Sequence, residues 1–270
     1  MQDAFLVLDL QSIEAQLGSR ELCRNTTNEV WLEIGSTNTR ALELARVVGR
    51  TDFFVAARQQ VAGRGRLGRK WETPRDAGIA FSLLIKPDFD TQQLSLITMA
   101  AGVAVARAIE AVLGFKPGLK WVNDVVYNGR KLAGILAEMN GPALVIGIGI
   151  ILRFDDVVLP DDLSQKIEWL ERIVGVPVDP NILVANLIKQ LEICIDELAK
   201  GNQAAITSAW KVYSVTLGKD VEATAGNLTL SGRAVDIDRD GALLIEDAQG
   251  EQHRLHAGEI SLRMADGSYC

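Results

Sequence analysis

Residues 119–150 read L-K-W-V-N-D-V-V-Y-N-G-R-K-L-A-G-I-L-A-E-M-N-G-P-A-L-V-I-G-I-G-I, and this stretch decides the fold class. Asn128-Gly129 falls between two apolar runs. That dipeptide is a strong hairpin signal, because the tight primed turn needs a positive φ at both central residues. The pattern predicts strands over Leu119–Val122, Val125–Tyr127 and Lys131–Met139, with turns at Asn123-Asp124 and Asn128-Gly129 and a further strand over Leu144–Ile150. The apolar run Ala143–Leu152 has ten residues, about half of what a helix needs to cross a bilayer, so it reads as a buried strand. Strands joined by such short turns pair with their neighbours, which gives an antiparallel or mixed sheet.

Working outward, Leu94–Leu113 is the longest helical pattern, apolar on most faces and therefore buried, with Gly114 as its stop. Upstream, Leu10–Leu22 reads as a helix and Val30–Ile34 as a strand leading to G-S-T-N at 35–38. Thr39–Val48 reads as a helix capped by Ser36 or Thr37, and Phe53–Ala57 and Ile79–Ile85 as strands. Asp161–Tyr213 carries a helical pattern broken at Pro177, Pro180 and Gly201. Past Val215 the chain turns to short alternating strands between glycine turns, the mark of a small barrel. The expected architecture is α/β (α+β): a mixed sheet with flanking helices over 1–213, then a small β-barrel over 214–270.

The formal net charge of −7 argues against broad binding to nucleic acid or to an anionic membrane, so cationic chemistry must be local. The opening M-Q-D-A-F-L-V-L-D-L carries Asp3 and Asp9 and no basic segment, unlike a secretory leader, and the expected location is cytoplasmic. Cys23, Cys194 and Cys270 are odd in number and far apart, which reads as reduced thiols rather than a disulfide framework or a C-x-x-C metal site. His253 and His256, three apart in a strand-like segment, should face opposite ways, so a two-histidine metal site is not expected.

Three clusters could carry chemistry. Gly63–Trp71, G-R-G-R-L-G-R-K-W, sets Arg64, Arg66, Arg69 and Lys70 among Gly63, Gly65 and Gly68. Glycine lets backbone N–H groups approach a ligand, and arginine presents a planar fork to carboxylate or phosphate oxygens. A mobile surface loop or a nucleic-acid tail is the alternative. Lys120–Asp124 (K-W-V-N-D) with Arg130–Leu136 (R-K-L-A-G-I-L) could bring the Asp124 carboxylate near Lys131, as phosphoryl chemistry with magnesium requires. The alternative there is a solvated turn. Gly35, Ser36, Thr37 and Asn38 with Gln60 are neutral donors and acceptors suited to an uncharged polar head such as an amide or urea, or else a helix cap. G-I-G-I at 147–150 is a weak glycine signal, without the third glycine of a dinucleotide loop.

These residues resemble the biotin protein ligases. The matching segments are G-S-T-N at 35–38, Q-x-x-G-R-G-R-x-G-R-x-W at 60–71, K-W-x-N-D at 120–124, R-K-L-A-G-I-L at 130–136 and G-E-I-S-L-R at 258–263, in family order. The resemblance implies a ligase that forms a carbon–nitrogen bond in two steps: biotin and ATP with Mg2+ give biotinyl-5′-AMP, which then acylates one lysine of a biotin carboxyl carrier protein domain, as in acetyl-CoA carboxylase. It implies that the final barrel is SH3-like, and that the protein is a monomer or homodimer with no nucleic-acid or membrane partner. With only about 29 residues before Val30, the chain looks like the ligase-only type, without an N-terminal DNA-binding domain.

Carried over by position, Ser36, Thr37, Asn38 and Gln60 would surround the ureido and ring end of biotin, with Gly63, Arg64, Gly65 and Arg66 wrapping its carboxylate and the phosphate. Gly134 and Ile135 would offer backbone edges. Trp71 and Asn123 would lie on the nucleotide side with Arg66 and Lys131. Arg64, Lys131 and Asp124 are the implied catalytic groups, with Asp124 serving magnesium or the incoming lysine. The chain departs from the family pattern at Ile151, where asparagine is usual, at Val122, where proline is usual, and at Asp236, where glycine is frequent. A lipoate or octanoate ligase of related fold is one rival, disfavoured by G-R-G-R, and a non-catalytic module that keeps the pocket is another.

Overall fold

The computed structural model describes residues 7–18, 22–24, 27–48, 51–71, 74–89, 94–154, 165–225, 228–256, 260–265 and 269. Seven strands form one mixed sheet: β1 (Glu29–Trp31), β2 (Phe53–Ala57), β3 (Gly78–Ile85), β4 (Gly118–Lys120), β5 (Asp124–Tyr127), β6 (Arg130–Asn140) and β7 (Ala143–Ile151). Their spatial order is β1-β2-β3-β7-β6-β5-β4, with β1 parallel to β2 and the other pairs antiparallel. The expected strands are present with shifted ends. The strand read as Leu119–Val122 stops at Lys120, and Asp124, expected in a turn, opens β5 paired with Lys120 and Gly134.

The sheet has two covered faces. On one, Phe53, Val55, Leu84 and Val145 pack with Ala41 of helix α2 (Thr37–Val48). On the other lie α3 (Leu94–Leu113), α5 (Pro180–Ala199) and α6 (Gln203–Tyr213), with α1 (Leu10–Leu17) against α5. Strand β3 is buried along its whole length because both faces are covered, which is why its sequence reads as a continuous apolar run. Helix α3 is long and apolar enough to span a membrane by composition, yet most of it is buried among these elements.

Three helical expectations need correction. Helix α1 ends at Leu17 because Gly18 takes a left-handed φ of 67°; 19–21 lie outside the described residues. Helix α2 starts two residues early, at Thr37 rather than Thr39. The pattern read from Asp161 resolves into α4 (Leu170–Val174), α5 and α6; 161–164 lie outside the described residues, and Ile167 bridges Lys131 of β6 instead of joining a helix.

After Tyr213, β8 (Asp220–Ala225), β9 (Leu228–Ile237), β10 (Leu243–Glu246), β11 (Gln252–Leu255) and β12 (Ile260–Met264) form a C-terminal antiparallel sheet in the order β11-β10-β9-β8-β12. It packs on the β4–β5 end of the first sheet. The Val215 N–H donates to the Leu119 carbonyl at 3.0 Å, the Trp121 N–H to Thr216 Oγ1 at 2.9 Å, and Trp121 Nε1 to the Gly241 carbonyl at 3.1 Å. Asp236, one of the departures, ion-pairs with Lys211 of α6 at 2.5 Å, a second tie between the two sheets' elements. Cys23 and Cys194 are buried and outside any disulfide; Cys270 lies outside the described residues. His253 lies 2.6 Å from Asp247 rather than pairing with His256.

Candidate active site

The arginine-glycine segment folds back on itself as a hairpin. Arg64 and Lys70 bridge as antiparallel partners, the Gly65 N–H donates to the Arg69 carbonyl at 2.7 Å, and the Trp71 N–H to the Gly63 carbonyl at 2.9 Å. The tip is a single 3-10 turn, Arg66–Gly68, whose reversal uses left-handed backbone at Leu67 and Gly68. Gly63 serves a close approach, since a Cβ there would meet the Trp71 carbonyl oxygen at 2.2 Å.

Under this hairpin lies a cavity of about 150 Å³. Of the residues singled out in the sequence, Ser36, Thr37, Asn38, Gln60, Arg64, Gly65, Arg66, Trp71, Asn123, Asp124, Lys131, Gly134 and Ile135 all line it, and Gly63 stands behind. The cavity opens on the α2 face of the sheet, beside the first turn of that helix.

One end is neutral. Thr37 donates its N–H to Gln60 Oε1 at 2.8 Å, with its hydroxyl 3.0 Å from the same oxygen. Ser82 Oγ, wholly buried on β3, lies 2.7 Å from Thr37 Oγ1 and 2.6 Å from Asn38 Oδ1. Asn38 Nδ2 donates to Glu138 at 2.7 Å, and Arg64 donates to the same carboxylate oxygen at 3.0 Å. Ser36 is the helix cap, its Oγ accepting from the Thr39 N–H at 3.5 Å. Ser82 and Glu138 were not foreseen. Each sits in a strand whose sequence signals only burial, and what recruits them is the neighbouring strand or helix.

The other end is charged. Lys131 Nζ lies 2.6 Å from Asp124 Oδ1, and the Tyr269 hydroxyl donates to Asp124 Oδ2. Burial alone would raise the Asp124 carboxyl, but Lys131, the Tyr269 hydroxyl and Lys120 together hold it below the ordinary carboxylate range. Arg66 Nη1 donates to Asn123 Oδ1 at 3.0 Å. Burial works against the Arg66 charge, and nearby Asp124 partly offsets it. Lys120 is buried, with its Nζ 3.8 Å from the centre of the Tyr269 ring. The two arginines are thus divided, Arg64 toward the neutral end and Arg66 toward the lysine–aspartate pair.

Lys131 reaches this face only because of a bulge. In a regular strand, residues 131 and 134 would point to opposite sides. The β5–β6 register shifts between Val125 and Val126, so Val125 pairs with Ala133 while Val126 pairs with Lys131. A β-bulge re-aims side chains in this way. Lys131 Nζ consequently lies 3.1 Å from where a Cβ of Gly134 would sit. The site is therefore not the solvated turn that hairpin composition also allowed.

Trp71 lies across a floor of glycines. Gly134 and Gly149 pair across β6 and β7, and a Cβ on Gly149 would fall 2.2 Å from the indole. A Cβ on Gly147 would fall 2.3 Å from Asn38 Oδ1. The G-I-G-I segment, weak as a phosphate motif, makes room for an indole and an amide instead. Ile151, another of the departures, is buried two residues beyond Gly149 and does not line the cavity. Leu262, Arg263 and Tyr269 close the cavity from the C-terminal side; Gly258 and Glu259 of the closing motif lie outside the described residues.

With that geometry in hand, residues 34–155 match the biotin/lipoate A/B protein ligase family and residues 216–263 the biotin protein ligase C-terminal domain. The chain is 33% identical over 265 residues to a biotin–[acetyl-CoA-carboxylase] ligase of Mycobacterium tuberculosis, covering 94% of this chain and 95% of that protein. It is 32% identical over 238 residues to the bifunctional ligase/repressor BirA of Bacillus spizizenii, covering 85% of this chain and 72% of the relative. Among solved structures it resembles the biotin protein ligase of Aquifex aeolicus in complex with biotin and ATP, with a TM-score of 0.77 and 27% identity over 89% of this chain and 100% of that one.

Proposed function

We infer, from the biotin protein ligase family to which this chain belongs and from the cavity just described, that it activates biotin with ATP and transfers the biotinyl group to a protein lysine. It is a carbon–nitrogen ligase acting on the carrier domain of a biotin-dependent carboxylase. The observation that carries this reading is one cavity with a neutral hydrogen-bonding end at Thr37, Asn38 and Gln60 and a cationic end at Arg66 and Lys131. Biotin has those two ends in that order, an uncharged urea and a carboxylate.

In the first step a biotin carboxylate oxygen attacks the α-phosphorus of ATP, and the bond to pyrophosphate breaks. Two anions must meet, so cations fixed beforehand at the developing charge lower the barrier. Lys131 and Arg66 are read in that role, with Arg64 guiding the carboxylate inward. Ser36, Thr37, Asn38 and Gln60 hold the ureido end, and Gly63 and Gly65 shape the covering hairpin. Gly134 and Ile135 supply the backbone edge, while Trp71 and Asn123 flank the nucleotide. In the second step the acceptor amine attacks the acyl carbon and AMP leaves, with Asp124 as the carboxylate for the incoming ammonium. No covalent enzyme intermediate is needed.

Magnesium enters this reading with the triphosphate. Asp124 is the carboxylate that would hold it, but its two oxygens are engaged by Lys131 and Tyr269 among further cations, a poor setting for a dication.

We place the catalytic unit at 1–213 and the C-terminal unit, an SH3-like barrel, at 214–270, supported by the end of α6 at Tyr213 and the family matches on either side. The net charge of −7 and the burial of α3 argue against nucleic-acid and membrane partners, and a cytoplasmic monomer or homodimer is the reading kept from the family resemblance. The test is incubation with biotin and ATP, and with lipoate and ATP in parallel, reading pyrophosphate and the acyl-adenylate by mass. Pyrophosphate release that does not depend on biotin would overturn the reading.

A further inference from the structure

Tyr269 lies beyond the stretch shared with the family's C-terminal domain, yet its side chain is built into the charged end of the cavity. Its hydroxyl donates to Asp124 Oδ2, its ring covers Lys120 Nζ at 3.8 Å, and the Arg263 guanidinium lies 5.9 Å from the ring centre. Asp124 is thereby engaged on both oxygens, the other being held by Lys131 at 2.6 Å.

An acceptor lysine arrives as an ammonium and becomes a nucleophile only after losing a proton. Resting on the ligase reading, Asp124 is the carboxylate placed to take that proton; each oxygen can accept a second hydrogen bond, but Oδ1 is buried against Lys131, so the ammonium must come to Oδ2, where the Tyr269 hydroxyl sits. The Lys131 contact is the more enclosed of the two, since Asp124 Oδ1 is buried and the Lys131 backbone is tied down on both sides. Its N–H donates to the Lys166 carbonyl at 2.8 Å and its carbonyl accepts from the Glu168 N–H at 2.8 Å, within the bulged pairing of β6. Tyr269 follows the last strand of the C-terminal sheet and lines the cavity. We propose that Tyr269 is a positioning residue for the transfer step: its hydroxyl occupies the Asp124 oxygen that the acceptor lysine must engage, and it yields to that amine.

The chemistry balances without a further reactant. One proton passes from the ammonium to Asp124 before attack, and the C–N bond forms as the C–O bond to AMP breaks. A second proton leaves the new amide nitrogen, AMP departs as the anion, and both protons go to water. While Tyr269 holds its place, Asp124 Oδ2 is covered against a stray amine, so the contact selects for an acceptor that displaces it.

The test uses the full chain as wild type, Tyr269→Phe and Tyr269→Ala. Each is loaded with biotin and ATP, desalted, assayed for bound biotinyl-5′-AMP by mass, and challenged with n-butylamine or with hydroxylamine. Butylamine is an ammonium at neutral pH and needs a proton acceptor, whereas hydroxylamine is already neutral. Removing the hydroxyl frees one oxygen, so the butylamide rate should rise about tenfold relative to the hydroxamate rate in Tyr269→Phe, the scale of one charge-assisted hydrogen bond. Tyr269→Ala should move the ratio in the same direction. A ratio that stays within twofold of wild type, or falls, overturns the proposal, because a purely structural or shielding role would change both amines alike. A folded Tyr269→Phe that loads no adenylate also overturns it, since the hydroxyl would then serve the first step. If wild type itself forms no adenylate, the ligase reading fails first, and this is seen before any amine is added.

Discussion

Gly149→Ala asks whether the glycine floor is the seat of Trp71. The new Cβ would lie 2.2 Å from Trp71 Cε2 and 2.5 Å from Cζ2 and Nε1, more than an ångström inside ordinary carbon contact at about 3.5–4.0 Å. The backbone cannot yield, because Gly149 is paired with Ala80 on one side and Gly134 on the other. The indole must therefore leave. A fully packed indole buries on the order of 150–250 Å². Half-buried Trp71 would forfeit roughly 60–80 Å² of contact, about 1.5–2 kcal/mol at about 25 cal/mol per Å². That energy tethers the hairpin carrying Arg64 and Arg66, so biotin should bind about ten- to thirtyfold more weakly by calorimetric titration. Global stability should fall by only about 0.5–1.5 kcal/mol, because the lost indole contact is partly offset by alanine's restriction of the unfolded chain at a position without a left-handed φ. A Kd within twofold of wild type, or a melting temperature lowered by many degrees, would refute the reasoning.

Ser82→Ala removes the hydroxyl shared by Thr37 and Asn38 and leaves a buried acceptor short of its donor, so the KM for biotin should rise about tenfold, equivalent to about 1.4 kcal/mol; steady-state kinetics with an unchanged KM would exclude it from the pocket's network. Lys131→Met should slow single-turnover adenylate formation by roughly 10² to 10³. It should also cost about 1–3 kcal/mol of stability by chemical denaturation, because it strips Asp124 of a 2.6 Å partner, where a solvated hairpin lysine would cost almost nothing. Because the Asp124 carboxyl is held low in the fold, its share of stability is present above the unfolded value near 3.9 and is lost as pH falls below it. Acid melts of wild type should steepen below about pH 4 relative to Asp124→Asn, and parallel curves would show that the carboxylate is not stabilised there.

The identity of the elements and the chemistry of the site were legible locally. Asn128-Gly129 specified a hairpin, alternation and apolar runs marked the strands, and clustered arginines and glycines announced an anion site, because turn dihedrals and charge depend on residues a few positions apart. The site motifs fall into one cavity because the first turn of α2, the arginine hairpin and the β5–β6 pairing meet there. What the sequence could not contain was the register. The bulge in β6 turns Lys131 onto the face of Gly134 and Asp124, and only pairing with β5 creates it. Ser82 and Glu138 look like ordinary strand residues until α2 and the arginine hairpin are laid against them. The glycines at 147 and 149 resemble a poor phosphate loop, and only the approach of Asn38 and Trp71 from distant segments gives them a purpose. Tyr269 reaches Asp124 across 145 residues of chain, a contact that the packing of the C-terminal sheet on the first one determines. Local propensity fixes which pieces form, while the meeting of distant surfaces decides which side chains share a cavity.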